Sequence, residues 1–430
     1  MTQLLLSRSP KWVRAFQDSF SPLRNLNLRY YLSGQAVSLI GTWLQVTAQG
    51  WVVWQISHST LALGVTGMLS TLPILLFGPW AGVWADRLDR RKLLVATQFA
   101  AMLLAFALAV LTQLRLVQLW HVYILSVLLG TVTALDMPSQ QAFLGDLAGM
   151  GEVRRAIVLN AMIVQVSRTL GPALAGFIIG AVGAASAFWL NGVSFLFVIG
   201  TLLVVRSNQV RKVGKVDPLR EFWEGLRFIG TQPRLLDLIL FVVIQTFLAL
   251  TIISILPSVA TDVLHGQAQV LGWLLAASGL GALISTLFVV PVAQIQRRTG
   301  LVVGLLVVWM GGWLLAVAFS TWLPFTLLGL FMASLTPPVV YTTASGFLQV
   351  SSPPNMRARL LSTYVMLTFG LQPFASLFIG FSAQRLTTPG AVALNGVLLI
   401  ALSGLILFFR RGLLHWEMNA PLPTAGQELA

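Results

Sequence analysis

Two ionisable side chains stand deep inside apolar stretches of this sequence, where a charge is costly and by default marks function. Asp136 is the one carboxylate well inside an expected helix, since Asp86, Asp146, Asp237 and Asp262 fall at helix ends. Arg168 is the one cation deep in an expected helix. They flank a short loop centred near Glu152, sixteen residues before it and sixteen after. An antiparallel hairpin would bring them to similar depth, in the cytoplasmic-to-middle part of the membrane, and an ion pair is the natural expectation. Two readings stay open. The pair is structural and sets one helix against the next, or Asp136 takes up and releases a proton as Arg168 moves toward or away from it. Gln140, Gln141, Asn160 and Gln165 lie near and would complete a polar network.

Three further groupings carry chemistry. Gln35, Ser38, Thr42, Gln45 and Gln49 follow steps of 3, 4, 3 and 4, so they share one helical stripe. Lipid penalises such a stripe, because amides and hydroxyls need partners. It therefore bonds to a neighbouring helix or lines a cavity. Gln245 stands at the offset of Gln45 in a later helix, followed less regularly by Thr246, Thr251, Ser254 and Ser258. Next, Gly171 and Gly176 permit close helix approach and Pro172 between them removes a backbone donor. This is an ordinary packing face or a hinge against a helix of the other half. Last, the loop from Gly82 to Leu94 puts two carboxylates and four cations into Asp86–Lys92, with more than twenty uncharged residues on either side.

Other chemistries find no support. The chain has no Cys, and His58, His121, His265 and His415 lack metal-ligand spacing. There is no phosphate-binding Gly-x-x-x-x-Gly-Lys-Ser/Thr loop and no Ser/His/Asp or Cys/His grouping. No metal, cofactor or enzymatic activity is expected.

The elements that must position these residues are membrane helices. Only 9% of residues are charged and 57% are hydrophobic, against about 25% charged in a soluble domain. With about 20 apolar residues needed per span, twelve spans are expected: 30–55, 61–84, 93–114, 119–143, 157–180, 184–205, 236–259, 270–293, 301–320, 323–348, 360–383 and 389–409. With the N-terminus inside, all but three of the 27 Lys and Arg fall on the cytoplasmic side; the exceptions are Arg115, Arg385 and Arg168. The net charge of +14 is thus a topology signal and does not point to nucleic acid.

The expected organisation is a cytoplasmic segment 1–28, a six-helix bundle 29–206, a cytoplasmic linker 207–234, a second bundle 235–410 and a cytoplasmic tail 411–430. The first segment carries Trp12, Val13, Phe16 and Phe20 on one helix face, suited to a membrane surface. The linker is basic at Arg211, Lys212 and Lys215, then amphipathic through Phe222, Trp223, Leu226 and Ile229, as expected of a helix lying on the cytoplasmic lipid surface. The halves match at an offset near 200 residues: Leu63-Gly64 with Leu271-Gly272, Arg90-Arg91 with Arg297-Arg298, Leu128-Leu129-Gly130 with Leu327-Leu328-Gly329, Pro172 and Gly180 with Pro373 and Gly380, and Asn191-Gly192-Val193 with Asn395-Gly396-Val397. The fold class is therefore all-α, with twelve transmembrane helices in two pseudo-symmetric six-helix bundles. Repeated bundles of this kind bind substrate between the halves and rock one against the other.

Gly82-x-x-Ala85-Asp86-Arg87-x-x-Arg90-Arg91-Lys92 resembles the loop 2–3 signature of the major facilitator superfamily, and Gly171-Pro172-x-x-x-Gly176 resembles its helix 5 antiporter signature. Asp136-x-Pro138, Arg168-x-x-Gly171-Pro172 and Asn191-Gly192-x-Ser194-Phe195 are similar to the bacterial branch that includes the enterobactin exporter and macrolide-efflux proteins. Two positions depart from the pattern: Asp89 stands where Gly is common, and helix 4 carries Gln140 and no Arg. The resemblance implies a proton-driven exporter of amphiphilic compounds, with helices 1, 4, 7 and 10 lining the cavity. It implies that Asp86 latches onto the start of helix 11 near Arg359–Ser362, supported by Arg87, Arg90 and Arg91 as lipid-facing cations. Thr336-Pro337-Pro338 would break helix 10 and free carbonyls toward the cavity.

The expectation is a secondary active transporter of the bacterial cytoplasmic membrane, monomeric, with both termini inside. Its partners would be a small-molecule substrate of siderophore or drug-like type, protons and lipids, with no nucleic acid. An uncoupled carrier or importer is one alternative and a non-transporting scaffold or sensor another.

Overall fold

The computed structural model describes residues 21–149, 151–205, 218–294, 299–352 and 356–410, and no strand occurs among them. Twelve helical stretches run across the molecule: α1 Leu26–Ser57, α2 Thr60–Arg87, α3 Arg90–Gln113, α4 Leu119–Ala148, α5 Val153–Val182, α6 Ala184–Val204, α7 Pro233–Val263, α8 Ala268–Ala293, α9 Thr299–Ala318, α10 Leu323–Val350, α11 Arg359–Leu386 and α12 Thr388–Phe409. Among the described residues, eleven helices are long and apolar enough to cross a membrane. The twelfth, α1, reaches about 48 Å with its 32 residues, but Gln35, Gln45 and Gln49 dilute its apolar character. Segment 1–20, the linker's basic part 206–217, Arg297 and Arg298, and the tail 411–430 lie outside the described residues.

Helix ends follow local chemistry. Asn25 caps α1 by accepting from the Asn27 and Leu28 amides at 3.0 and 3.4 Å. His58 ends α1 in the left-handed region at φ 45°. Ser59 then accepts from the Ala62 amide at 3.2 Å and starts α2. Asp89, the departure noted above, accepts from the Lys92 amide at 3.1 Å and caps α3. A glycine would leave that donor unmet.

The packing repeats. In the first six helices α3 lies on α6 and α2 on α4; in the second, α9 lies on α12 and α8 on α10. The halves join through α5 on α8 and α2 on α11, again a repeat-related pair of contacts. We call the end carrying the α1–α2 and α7–α8 turns distal, and the end carrying the α2–α3 loop proximal. The joints are tightest distally. A Cβ on Gly64 would lie 2.9 Å from the Gly380 Cα, and a Cβ on Gly176 would lie 2.9 Å from the Gly272 Cα. Thr60 adds a hydrogen bond to the Gly380 carbonyl at 3.1 Å. Helices α1 and α2 touch α7 through its distal segment Ile252–Ser258. At the proximal end a Cβ on Gly78, Gly82, Gly145 or Gly346 would meet no atom within 4 Å. Among the described residues the closest crossings between the halves lie at the distal end.

The second half departs from ideal helix where the described part of the first does not. α7 contains π turns at Thr246–Leu250 and Val259–Val263, and α8 contains one at Ser285–Val289. Such turns insert a residue and often sit at functional positions. α10 breaks at Ser334–Leu335, just before Thr336-Pro337-Pro338. The Leu335 carbonyl, which caps the segment after the break, also accepts from the Ser285 hydroxyl at 2.5 Å. Pro337 and Pro338 leave the Ala333 and Ser334 carbonyls without their helical donors, while α8 is tied to the break through Leu335.

The linker helix Pro218–Thr231 docks on α11. A Cβ on its Gly225 would fall 2.1 Å from the Thr363 Oγ1, Ile229 is buried and Trp223 faces away. Glu224 accepts from Arg359 at 2.7 Å and from Arg220 at 2.9 Å. So this helix, read from sequence as lying on lipid, turns one face to the protein.

Candidate functional site

Asp136 projects from α4 toward α3. Its carboxylate accepts from the Thr97 hydroxyl at 2.6 Å, from the Gln98 amide at 3.0 Å to each oxygen, and from the Gln140 side chain one turn on. Gln140 in turn accepts from Gln35 of α1 at 2.8 Å. Three helices thus converge on one carboxylate, and every donor is neutral. The sequence pattern did not single out Thr97 and Gln98, although a polar pair within the otherwise apolar run after Lys92 is the signal that would have found them. Gln141 is exposed and stands apart.

The expected ion pair does not form. Arg168 projects from α5 toward α1, with its guanidinium carbon 5.6 Å from the centroid of the Trp43 ring, and it lies within electrostatic reach of Tyr341 on α10. Similar depth is necessary for a pair but not sufficient. The helices' rotation turns Asp136 to α3 and Arg168 to the junction of the halves, where its backbone carbonyl approaches Gly279 of α8.

The polar stripe of α1 serves its neighbours in the same half. Gln35 reaches α4 through Gln140, Gln49 donates to Ser126 of α4 at 2.8 Å, and Gln45 accepts from Asn191 of α6 at 2.7 Å. The stripe is about 80° wide at 100° per residue, broad enough for its edges to address two helices. Ser38 is buried and its carbonyl accepts from the Thr42 hydroxyl at 3.0 Å. Thr42 and Gln49 are half-buried.

The second half repeats these residues without repeating the bond. Gln245 is fully buried beside the Tyr341 hydroxyl, but neither of its amide atoms reaches a partner with good hydrogen-bond geometry. Asn395, the mate of Asn191, donates instead to the Leu248 carbonyl at 2.7 Å, inside the π turn that begins at Thr246. The inserted residue turns Gln245 out of register. Replacing Asn191 with leucine strands Gln45 and should cost about 1 kcal/mol. The variant should melt earlier in detergent, and adding Gln45→Leu should restore part of the loss.

The charged loop is anchored within the first half. Arg90 is buried and bonds both carboxylate oxygens of Asp146 at the end of α4, at 2.8 and 2.9 Å. Arg91 donates to the Leu202 carbonyl at 2.5 Å and to that of Leu203, closing the C-terminus of α6. These two are therefore ties between helices rather than lipid-facing cations. Arg87 is exposed and Gly82 faces open space. The Asp86 side chain lies outside the described residues.

The glycines of α5 serve two neighbours. A Cβ on Gly171 would lie 2.4 Å from the Trp43 Cβ, so this glycine admits α1. Gly176 admits α8 at Gly272, and a Cβ on Gly272 would lie 2.8 Å from the Pro172 carbonyl. Nothing in the described residues forms a cluster able to hold a metal ion.

The family model described as transmembrane secretion effector matches residues 17–426. The staphyloferrin A transporter of Staphylococcus aureus is 25% identical over 396 residues, covering 90% of this chain and 96% of that protein. The enterobactin exporter EntS of Salmonella typhi is 22% identical over 410 residues, covering 94% and 95%. A crystal structure of a bacterial homologue of the human lysosomal transporter Spinster, inward-facing and occupied, superposes with a TM-score of 0.67 at 15% identity, covering 91% of this chain and 97% of that one.

Proposed function

The chain belongs to the transmembrane secretion effector family of the major facilitator superfamily, and from there we propose that it is a proton-coupled exporter of amphiphilic small molecules working by alternating access. It sits as a monomer in the bacterial cytoplasmic membrane with both termini, and hence the proximal end, at the cytoplasm. The distribution of Lys and Arg supports that orientation.

The observation that carries the reading is Asp136. A carboxylate in the membrane interior, bonded only to neutral Thr97, Gln98 and Gln140, can exchange a proton without first giving up a fixed counter-ion. Gln140 and Gln35 link it to α1, one of the helices expected to line the path. Close glycine crossings at the distal end suit one of the two end states that alternating access requires. The names of the two relatives support a siderophore-like substrate.

Uptake into inside-out vesicles with and without a pH gradient is the test. Accumulation that ignores the gradient would leave an uncoupled carrier, and no movement or binding of any candidate compound would leave a scaffold.

The Asp86 latch to α11 belongs to the same reading. Glu224 already holds Arg359 at 2.7 Å at the start of α11, so Asp86 would add to a charged cluster there. Asp86→Asn should slow transport about 3- to 10-fold through a shifted conformational equilibrium, with protein level unchanged on an immunoblot. Normal activity would return the loop to a topology signal.

A further inference from the structure

Arg168 is the unexplained charge of this molecule. It forms no ion pair and no side-chain hydrogen bond among the described residues, and Asp136, the natural counter-ion, is committed to α3. Yet it is not sealed away, for its side chain is only partly buried.

Its surroundings are specific. Gly171, one turn along α5, brings α1 close enough to set the Trp43 ring against the guanidinium. A cation–π contact of this kind uses the charge and leaves the N–H donors available to a ligand. From the second half, Tyr341 of α10 faces the same space, with its hydroxyl 2.7 Å from the Thr246 Oγ1 of α7. Tyr364 of α11 donates to the Tyr341 carbonyl at 3.1 Å and steadies that segment. A permanent cation, an aromatic wall and a hydroxyl pair therefore face one space, from four helices of both halves.

We propose that Arg168 is the anion-binding point of the transport path, and that the substrate is an organic anion presenting a carboxylate beside an apolar or aromatic group. The inference rests on the transporter reading above and adds the charge of the cargo. The edge of a guanidinium matches a carboxylate with two parallel hydrogen bonds, which an organic cation cannot accept. Trp43 and Tyr341 supply apolar contact next to it. Because the partners come from both halves, rocking changes their spacing, so the anion is held differently in the two end states, as transport demands.

Isothermal titration of the purified full chain in detergent, with citrate, salicylate and tetraphenylphosphonium as probes, tests this without any gradient. Wild type should bind at least one of the two carboxylates in preference to the phosphonium. Arg168→Gln should weaken that binding about tenfold or more, the loss expected for one charge-assisted contact, while Arg168→Lys should retain part of it. Trp43→Leu should weaken salicylate more than citrate. Wild type preferring the phosphonium, or binding neither carboxylate at millimolar concentration, overturns the proposal. So does a folded Arg168→Gln variant that binds the anion as wild type does. If that variant does not fold, wild-type preference and Arg168→Lys decide. Anion binding that survives in a protein with no gradient-driven transport would refute the coupling reading and leave this one standing.

Discussion

Asp136→Asn is expected to abolish accumulation driven by a pH gradient and to leave substrate exchange across the membrane intact. The substitution preserves shape but leaves one acceptor oxygen, which keeps only two of the four hydrogen bonds donated by Thr97, Gln98 and Gln140, and an amide cannot take up and release a proton. Coupling between two ligands is a free energy, commonly worth about 5- to 150-fold, so the accumulation ratio should fall by about an order of magnitude or more. Counterflow needs only the conformational cycle and should persist. Loss of both activities with a lowered melting temperature would mean that the Asp136 network merely binds α3 to α4. Unchanged coupled transport would remove Asp136 from the coupling step.

An equally large effect is expected at the distal seam. A leucine at Gly176 cannot coexist with the crossing seen here, because even its Cβ would lie 2.9 Å from the Gly272 Cα and 2.9 Å from the Ala268 carbonyl oxygen. Both neighbours are backbone and cannot swing aside. Gly176→Leu should hold α5 off α8, prevent distal closure and bring transport to background, and Gly64→Leu should do the same at α2 and α11. The chain contains no cysteine, so a single reporter at Ser254, which lies beside Gly67 across the seam, can be read cleanly. Its reaction with an impermeant maleimide added from the distal side should accelerate about tenfold or more, as expected for a population shift beyond 1.4 kcal/mol. Unchanged labelling together with normal transport would show that the crossing is ordinary packing.

Much of this architecture is legible in the sequence. Hydropathy locates the eleven helices apolar enough to span and, with less contrast, the more polar α1, and the repeat foretells that α2 and α8, or α5 and α11, play matching roles. Boundaries drift because hydropathy ends where polarity begins, whereas α4 and α5 continue through polar turns to Ala148 and from Val153. The site is legible as a set of residues and less so as contacts. Asp136 and Arg168 announce themselves by charge, but which way each faces depends on helix rotation, which packing fixes. The register change at Gln245 was equally invisible, since a π turn leaves no periodic mark in a helix that is apolar nearly all round. Gly176 could be read as a site of close approach, while its partner Gly272 required the fold.

The two glycine crossings also determine where the membrane voltage acts. On the proposed orientation, with the proximal end opening to the cytoplasm, the surroundings of Asp136 and Arg168 would take the cytoplasmic potential, and the electric field would be concentrated across the distal seam at Gly64–Gly380 and Gly176–Gly272. A charge on either residue then experiences little of the roughly 2.3 kcal/mol per 100 mV that a full crossing is worth. Rocking the halves opens the seam and closes the proximal side, which carries the field across the residues while they stay nearly at rest in the membrane. Under that proposed cycle the voltage would be coupled to the change of shape, and a charge would traverse the potential without travelling the thickness of the bilayer.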